Sequence, residues 1–364
     1  MADMAQILNI VYTILIPVAV LFGFIMLNAA YLSYMERKTL AWMQSRMGPM
    51  MAGYHGILQP IADGVKLFFK EDIIPAKADK WVFIVAPLIL LVMSLASFVV
   101  IPFGPPTRLF GILSPENAVP LWVTNLNIGV LYVLALASIG TYGVIMAGWA
   151  SNNKYSLLGS FRSAAQMISY EIPMAFAIIT VVLMAGSLNL TEIVNAQTGK
   201  WFIFTYVGPV VFFLYLVSGI AETNRAPFDL PEAESELVAG FFTEYTGMRF
   251  AMFFMAEYAN MVVVALLISI MFFGGWLPLQ IFPSVSWLGG MAPISWVNTA
   301  MRAVPPVLWL LAKVYFFIFC FIWIRATLPR LRYDQLMKFS WKILLPLSLV
   351  TLLATAFLKQ AGLL

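Results

Sequence analysis

Histidine, cysteine and charge are all in short supply in this chain. It has one histidine, His55, and one cysteine, Cys320, which lies inside an apolar run. A single cysteine leaves no disulfide and no cysteine-held iron–sulfur cluster within the chain. A single histidine argues against a self-contained haem or zinc site. No phosphate-cradling glycine loop, HExxH, GxSxG or CxxC pattern occurs. Charged residues make up only 10% of the sequence, and the net charge of +4 comes from short loops between apolar runs, which removes nucleic acid as a partner. The N-terminus lacks a basic leader region and a small-residue cleavage site before its long apolar run, so that run reads as a retained span.

Apolar residues are abundant instead. The chain is 62% hydrophobic, with 29 Phe and 21 Met in 364 residues, far more apolar surface than a soluble domain of this length can bury. The runs are continuous, where a β-barrel would alternate apolar and polar residues. The expected fold is an all-α polytopic membrane protein forming one domain over 1–364. At ~20 residues per crossing, eight spans are expected at roughly 7–34, 81–102, 129–150, 163–186, 202–221, 250–273, 306–327 and 342–360. Residues 276–300 are nearly uncharged but broken by Pro278, Pro283, Gly289, Gly290 and Pro293, and read as an interfacial connector.

Lysine and arginine set the expected topology. The loops after spans 1, 3, 5 and 7 carry 16 of the 21, the opposite side carries Arg108, Lys200, Arg302 and Lys359, and Lys313 lies inside span 7. The positive-inside rule puts the first group on the cytoplasmic side, or the matrix side in an organelle. The localisation expected is a bacterial inner membrane or a mitochondrial inner membrane.

The first of these loops, 36–80, opens with Glu36-Arg37-Lys38 and continues through Gln44-Ser-Arg46-Met-Gly48-Pro49. Lys38 reads equally well as an anchor snorkelling to the membrane surface. From about 57 to 70, Leu58, Ile61, Val65 and Phe68 share one helical face, while Asp63, Lys66 and Lys70 lie off it. Too short to span, this stretch reads as an interfacial amphipathic helix. It either braces the bundle or forms a doorway for an amphipathic, lipid-like ligand.

Carboxylates stand out against this background. Glu171 in span 4, followed by Pro173, and Glu257 in span 6 both fall inside apolar runs. A charged carboxylate at mid-membrane costs roughly 2.5–3.5 kcal/mol or more, so such groups face the bundle interior. An ion pair of one of them with Lys313 is the structural alternative to a proton path. Between spans 5 and 6, the acidic loop 222–249 holds six of the chain's 17 acids within 222–244: Glu222, Asp229, Glu232, Glu234, Glu236 and Glu244. Arg225 is the only base among them. A helix start with Asp229 as cap and Pro231 in the first turn accounts for Asp229, Glu232 and Glu234. Glu236, one turn from Glu232 and repelled by it, is left unexplained, as are Glu222 and Glu244. Crowded carboxylates share protons, which suits a relay.

At this point the sequence resembles a known family. Glu36-Arg37-Lys38, Gln44 to Pro49, Gly56-Ile-Leu-Gln-Pro-Ile-Ala-Asp63-Gly-Val-Lys66 and Phe69-Lys-Glu-Asp72 are similar to the first loop of the H-subunit family of respiratory complex I, the proton-pumping NADH:quinone oxidoreductase. So are Gly148-Trp-Ala-Ser-Asn-Asn-Lys-Tyr155, Ser169-Tyr-Glu171, the Ala221–Glu236 stretch, Phe242-Thr-Glu-Tyr245 and Arg325-Ala-Thr-Leu-Pro-Arg-Leu-Arg-Tyr-Asp334. The resemblance implies a membrane subunit that forms part of a quinone channel and couples quinone reduction to proton translocation. Carried over by position, Glu36, Arg37, Arg46, Asp63 and Lys66 are expected at the quinone channel and its mouth. Glu171, Glu222, Asp229, Glu232, Glu234, Glu236 and Glu257 are expected in the proton relay. The substrate is then a quinone, ubiquinone or menaquinone, and NADH, FMN and iron–sulfur clusters belong to partner subunits. Those partners are the hydrophilic arm at the charged loops, and small and antiporter-like membrane subunits alongside. Ser138 stands where some relatives carry a span-3 carboxylate, so the path there must be bridged by water or by other acids. Two other readings fit the intramembrane acids: an ion-path or anchor subunit of a related membrane-bound hydrogenase, and a cation/proton antiporter.

Overall fold

The computed structural model describes residues 16–106, 121–229, 239–278 and 304–362. Among the described residues every regular element is helical. In chain order these are α1 (Ile16–Met43), α2 (Gln59–Phe69), α3 (Lys80–Ser97), α4 (Gly129–Ala150), α5 (Lys154–Ala185), α6 (Leu190–Ala196), α7 (Gly208–Glu222), α8 (Gly247–Phe272), α9 (Pro306–Thr327), α10 (Tyr333–Phe339) and α11 (Leu345–Gln360). A π turn at Ser340–Leu344 joins α10 to α11 without a break.

Six segments are long and apolar enough to cross a bilayer: Lys80–Val100, Gly129–Ala150, Lys154–Ala185, Gly247–Phe272, Pro306–Thr327 and Tyr333–Gln360. The chain is therefore a multi-pass helical membrane protein. Of the two other expected spans, 202–221 is a 3-10 turn (Phe202–Phe204) followed by the 15-residue α7. The first span lies partly outside the described residues, and α1 carries on past it through Met43. The helix of the fourth expected span, α5, starts at Lys154 rather than near 163, because Asn153 accepts a hydrogen bond from the Tyr155 amide at 3.0 Å and caps it there. It ends at Gly186, whose φ of 78° suits the left-handed stop.

Helix α5 is the hub, packing on α4, α7 and α11, while α8 packs on α3, α9 and α1. Two prolines interrupt these helices, and in both cases a side chain from elsewhere repairs the loss. Pro173 has no amide hydrogen to offer the Ser169 carbonyl four residues back, and Ser340 Oγ donates to that carbonyl at 2.6 Å. The π turn is what brings Ser340 there. Pro87 in α3 likewise frees the Phe83 carbonyl, and the Tyr245 hydroxyl donates to it at 3.2 Å while its ring stacks on Phe83 at 4.0 Å. In a membrane such carbonyls have no water to turn to, so partners of this kind are obligatory. At one close approach only glycine fits: a Cβ on Gly159 would lie 2.6 Å from the Gly240 Cα.

The loop after α1 folds back on that helix. Lys38 does not snorkel; it is only 8% exposed, and its Nζ lies 3.2 Å from Met50 Sδ. Helix α2 packs on α1 and α8. Its Ile61 (55%), Val65 (53%) and Phe68 (70%) remain exposed on the molecule's surface.

Candidate functional site

The site is built around Arg225. Helix α7 ends at Glu222, and Asn224 then takes a left-handed φ of 51°, a conformation asparagine tolerates better than most side chains. Gln166 of α5 holds the turn in place, its Nε2 donating to the Ala221 carbonyl at 2.8 Å and to the Phe228 carbonyl at 2.6 Å. This clamp sends the Arg225 side chain inward. Its Nη1 donates to both oxygens of Glu36 at 3.1 Å, and its Nη2 stands 3.8 Å from Glu257 Oε2. The guanidinium lies over the Tyr258 ring at 4.4 Å, and the Tyr258 hydroxyl donates to Glu36 Oε2 at 2.7 Å. Arg325, from the end of α9, closes the group with a hydrogen bond to Glu36 Oε1.

Two carboxylates therefore meet two guanidiniums, with Glu36 4% and Arg225 9% exposed. An unpaired buried charge is expensive, and this balance is what allows the group to be buried at all. Burial opposes the Arg225 charge, but the Glu36 and Glu257 carboxylates and Tyr258 outweigh it, so its pKa is raised and it stays cationic. Glu36, expected at the quinone channel, and Glu257, expected in the proton relay, thus share one arginine.

Two further groups flank this centre. Arg37 Nη1 of α1 pairs with Asp63 Oδ2 of α2 at 2.6 Å, and Gln59 Nε2, also on α2, donates to Asp63 Oδ1 at 3.0 Å. Asp229 pairs with Arg330 Nη2 at 3.2 Å, beside a backbone bond from Leu331 to Pro227. Deeper in the bundle, Ser138 of α4 donates through Oγ to Glu171 Oε1. Glu222 lies within electrostatic reach of Glu171.

Not every expected residue joins. Arg46 is exposed, its Nε donating to Gln44 Oε1 at 2.6 Å, and Lys66 is exposed on α2. Glu232, Glu234 and Glu236, with the expected helix start beyond Asp229, lie outside the described residues, as does the connector from 279 onward. Glu244 accepts a hydrogen bond from Asn153 Nδ2 at 2.7 Å. Among the described residues Lys313 pairs with no acid; its Nζ donates to the carbonyls of Phe273, Gly275 and Leu277, each at 2.7 Å, and lies over the Trp201 ring. The ion-pair expectation fails because a single ammonium has three donors and the chain leaving α8 presents three carbonyls to it. Among the described residues no group of three or more His, Cys, Asp or Glu is placed to hold a metal.

Sequence reasoning missed Arg225, Tyr258, Arg325 and Arg330 as site residues. For Arg225 a signal existed, since it is the one base in a run of six acids. The others come from α8 and from the end of α9 and just beyond it, and only the fold brings them in.

Membrane-length helices around a buried, charge-balanced cluster of acids and arginines define a multi-pass helical membrane protein. A family model described as NADH dehydrogenase matches residues 16–356. The second H subunit of NADH-quinone oxidoreductase from Geobacter metallireducens is 51% identical over 350 residues, covering 94% of both chains. The first H subunit from Geobacter sulfurreducens is 50% identical, covering 93% of this chain and 92% of its own. The corresponding H subunit from Magnetococcus marinus is 48% identical, covering 94% and 89%. The chain belongs to the NADH dehydrogenase family, among the H subunits of NADH-quinone oxidoreductase.

Proposed function

We propose that this chain forms the membrane part of a quinone channel and couples quinone reduction to proton translocation, within an assembly whose flavin and iron–sulfur clusters sit in partner subunits. The arrangement that carries this reading is Arg225 held between Glu36 and Glu257. A change of charge at the quinone end of that cluster alters the pairing of Arg225, and the other carboxylate feels it directly.

In this reading α1 and α7 complete eight spans, and α2 lies at the headgroup level with Ile61, Val65 and Phe68 toward lipid. Quinone passes between α2 and the bundle, near Arg37, Asp63 and the exposed Arg46 and Lys66. Reduction to quinol takes up protons, and the acids from Glu222 to Glu236 respond. Protonation then passes through Glu171 and Glu257 toward neighbouring antiporter-like subunits. The charged loops face the cytoplasm or matrix, where the hydrophilic arm docks.

Two experiments test this. Purification from native membranes should bring flavin and iron–sulfur subunits along with the chain; a stable, transport-active single subunit would contradict it. Glu171→Gln and Glu236→Gln should each impair proton pumping driven by quinone reduction. Wild-type pumping in both variants would sink the relay.

A further inference from the structure

Helix α7 carries three polar groups on one face, Tyr215, Ser218 and Glu222, at the spacing that stacks side chains along a helix. Tyr215 and Ser218 are 0% exposed, yet the Tyr215 hydroxyl, Ser218 Oγ and Glu222 Oε2 have no hydrogen-bond partner among the described residues. Gln166 Oε1, beside the end of α7, is also without one. Leaving a buried polar atom unpaired costs about 1–3 kcal/mol, so four along one seam call for an explanation.

Ser218 is informative by comparison. Ser94, Ser97, Ser151, Thr180 and Ser269 each donate to the carbonyl four residues back in their own helix, the usual resting place for such a hydroxyl. Ser218 makes no such bond, and its hydroxyl is left free to bind another group.

The register between α5 and α7 shows what the seam connects. These consecutive long helices run in opposite directions, and Gln166 bonds the Ala221 carbonyl across them. Five residues further along α5 is Glu171, about 7.5 Å deeper at 1.5 Å per residue. The same distance back along α7 falls at Leu216. The Tyr215 and Ser218 backbones therefore bracket the level of Glu171, while Glu222 sits at the level of Gln166. Glu222 is within electrostatic reach of both Glu171 and Tyr215.

We propose that the hydroxyls of Tyr215 and Ser218 hold a short file of water that carries a proton between Glu222 and Glu171. The step presupposes the relay proposed above and names its path. Protonated Glu222 gives its proton to the nearest water, each water passes one on, and the Glu171 carboxylate takes up the last. Glu222 ends as a carboxylate and Glu171 as an acid, with no net change on water, Tyr215 or Ser218. The two hydroxyls are positioning groups. Ser138, already bonded to Glu171, holds the receiving carboxylate.

The test uses the assembled complex in liposomes, carrying Tyr215→Phe with Ser218→Ala, then Ser218→Thr, which keeps a hydroxyl. Proton pumping driven by NADH should fall about tenfold in the double variant, the equivalent of one or two lost hydrogen bonds in the transfer step. Its solvent deuterium isotope effect should rise, and Ser218→Thr should restore the wild-type rate. Unchanged pumping and isotope effect in the double variant, with Glu222→Gln impaired, would overturn the water file and leave the relay standing. Unchanged pumping in Glu222→Gln as well would bring down the relay itself. If the double variant fails to assemble, an experimental map of the wild-type complex decides. Ordered water within hydrogen-bonding distance of the Tyr215 and Ser218 hydroxyls supports the proposal, and a dry seam overturns it.

Discussion

Arg225 and Glu36 are 189 residues apart in sequence, and Arg225 Nη1 stands 3.1 Å from each oxygen of the Glu36 carboxylate. Glu36 lies in the last third of α1, Arg225 in the turn after α7, and Glu257 and Tyr258 in α8. One guanidinium thus pins three elements together.

Removing that guanidinium takes the bidentate partner from Glu36 and a cationic partner from Glu257. Breaking a buried ion pair from one side costs about 3–5 kcal/mol. Arg225→Met is therefore expected to lower the thermal stability of the subunit sharply, measured by heating the purified complex and following loss of this chain. Arg325→Met should do less, because Arg325 is 29% exposed and water takes over part of its role. Equal losses in the two variants would contradict this ranking.

The proline repairs predict a thermodynamic cycle. Ser340→Ala should cost about 1 kcal/mol in unfolding stability, the usual scale of a hydrogen bond within a membrane bundle. In a Pro173→Ala background the restored amide satisfies the Ser169 carbonyl, so the same substitution should cost nearly nothing. Additive effects would show that Ser340 does something other than replace the missing donor. The pair Tyr245→Phe and Pro87→Ala should behave the same way, with an added packing loss from the Phe83 stack.

Lys313 is expected to be structural. Lys313→Met should reduce stability by about 2–4 kcal/mol, since three carbonyls lose a charged donor. The complex that does assemble should pump at the wild-type rate per molecule. Slowed pumping with unchanged stability would instead place Lys313 in the proton path.

Asp63 and Arg37 form a partly exposed pair, 30% and 51% accessible, and such pairs contribute about 0–1 kcal/mol. Asp63→Asn should barely change stability. Steady-state kinetics should show a raised KM for quinone with kcat nearly kept, if α2 guards the channel mouth. A fall in kcat at unchanged KM would remove Asp63 from the access path.

Much of this was legible in the sequence, for reasons that differ by residue. Long apolar runs marked the helices because bilayer thickness dictates their length. Glu171 and Glu257 stood out because a carboxylate in such a run needs a reason to be there. The start of α5 at Lys154 was missed because the polar residues 151–156 hid a capped helix end. Arg225 was visible as a lone base among acids, but its partners were not, since ion pairs between distant segments leave no local pattern. Charge alone points Lys313 toward an acid, and the carbonyls it binds belong to every residue type alike.

The most direct test of coupling through Arg225 is redox-triggered infrared difference spectroscopy of the whole complex as bound quinone is reduced. A carboxyl band that changes on reduction should disappear in Glu257→Gln and shift in Arg225→Lys, while both variants still bind quinone. Identical difference spectra in wild type and both variants would show that quinone chemistry does not reach Glu257 through this cluster.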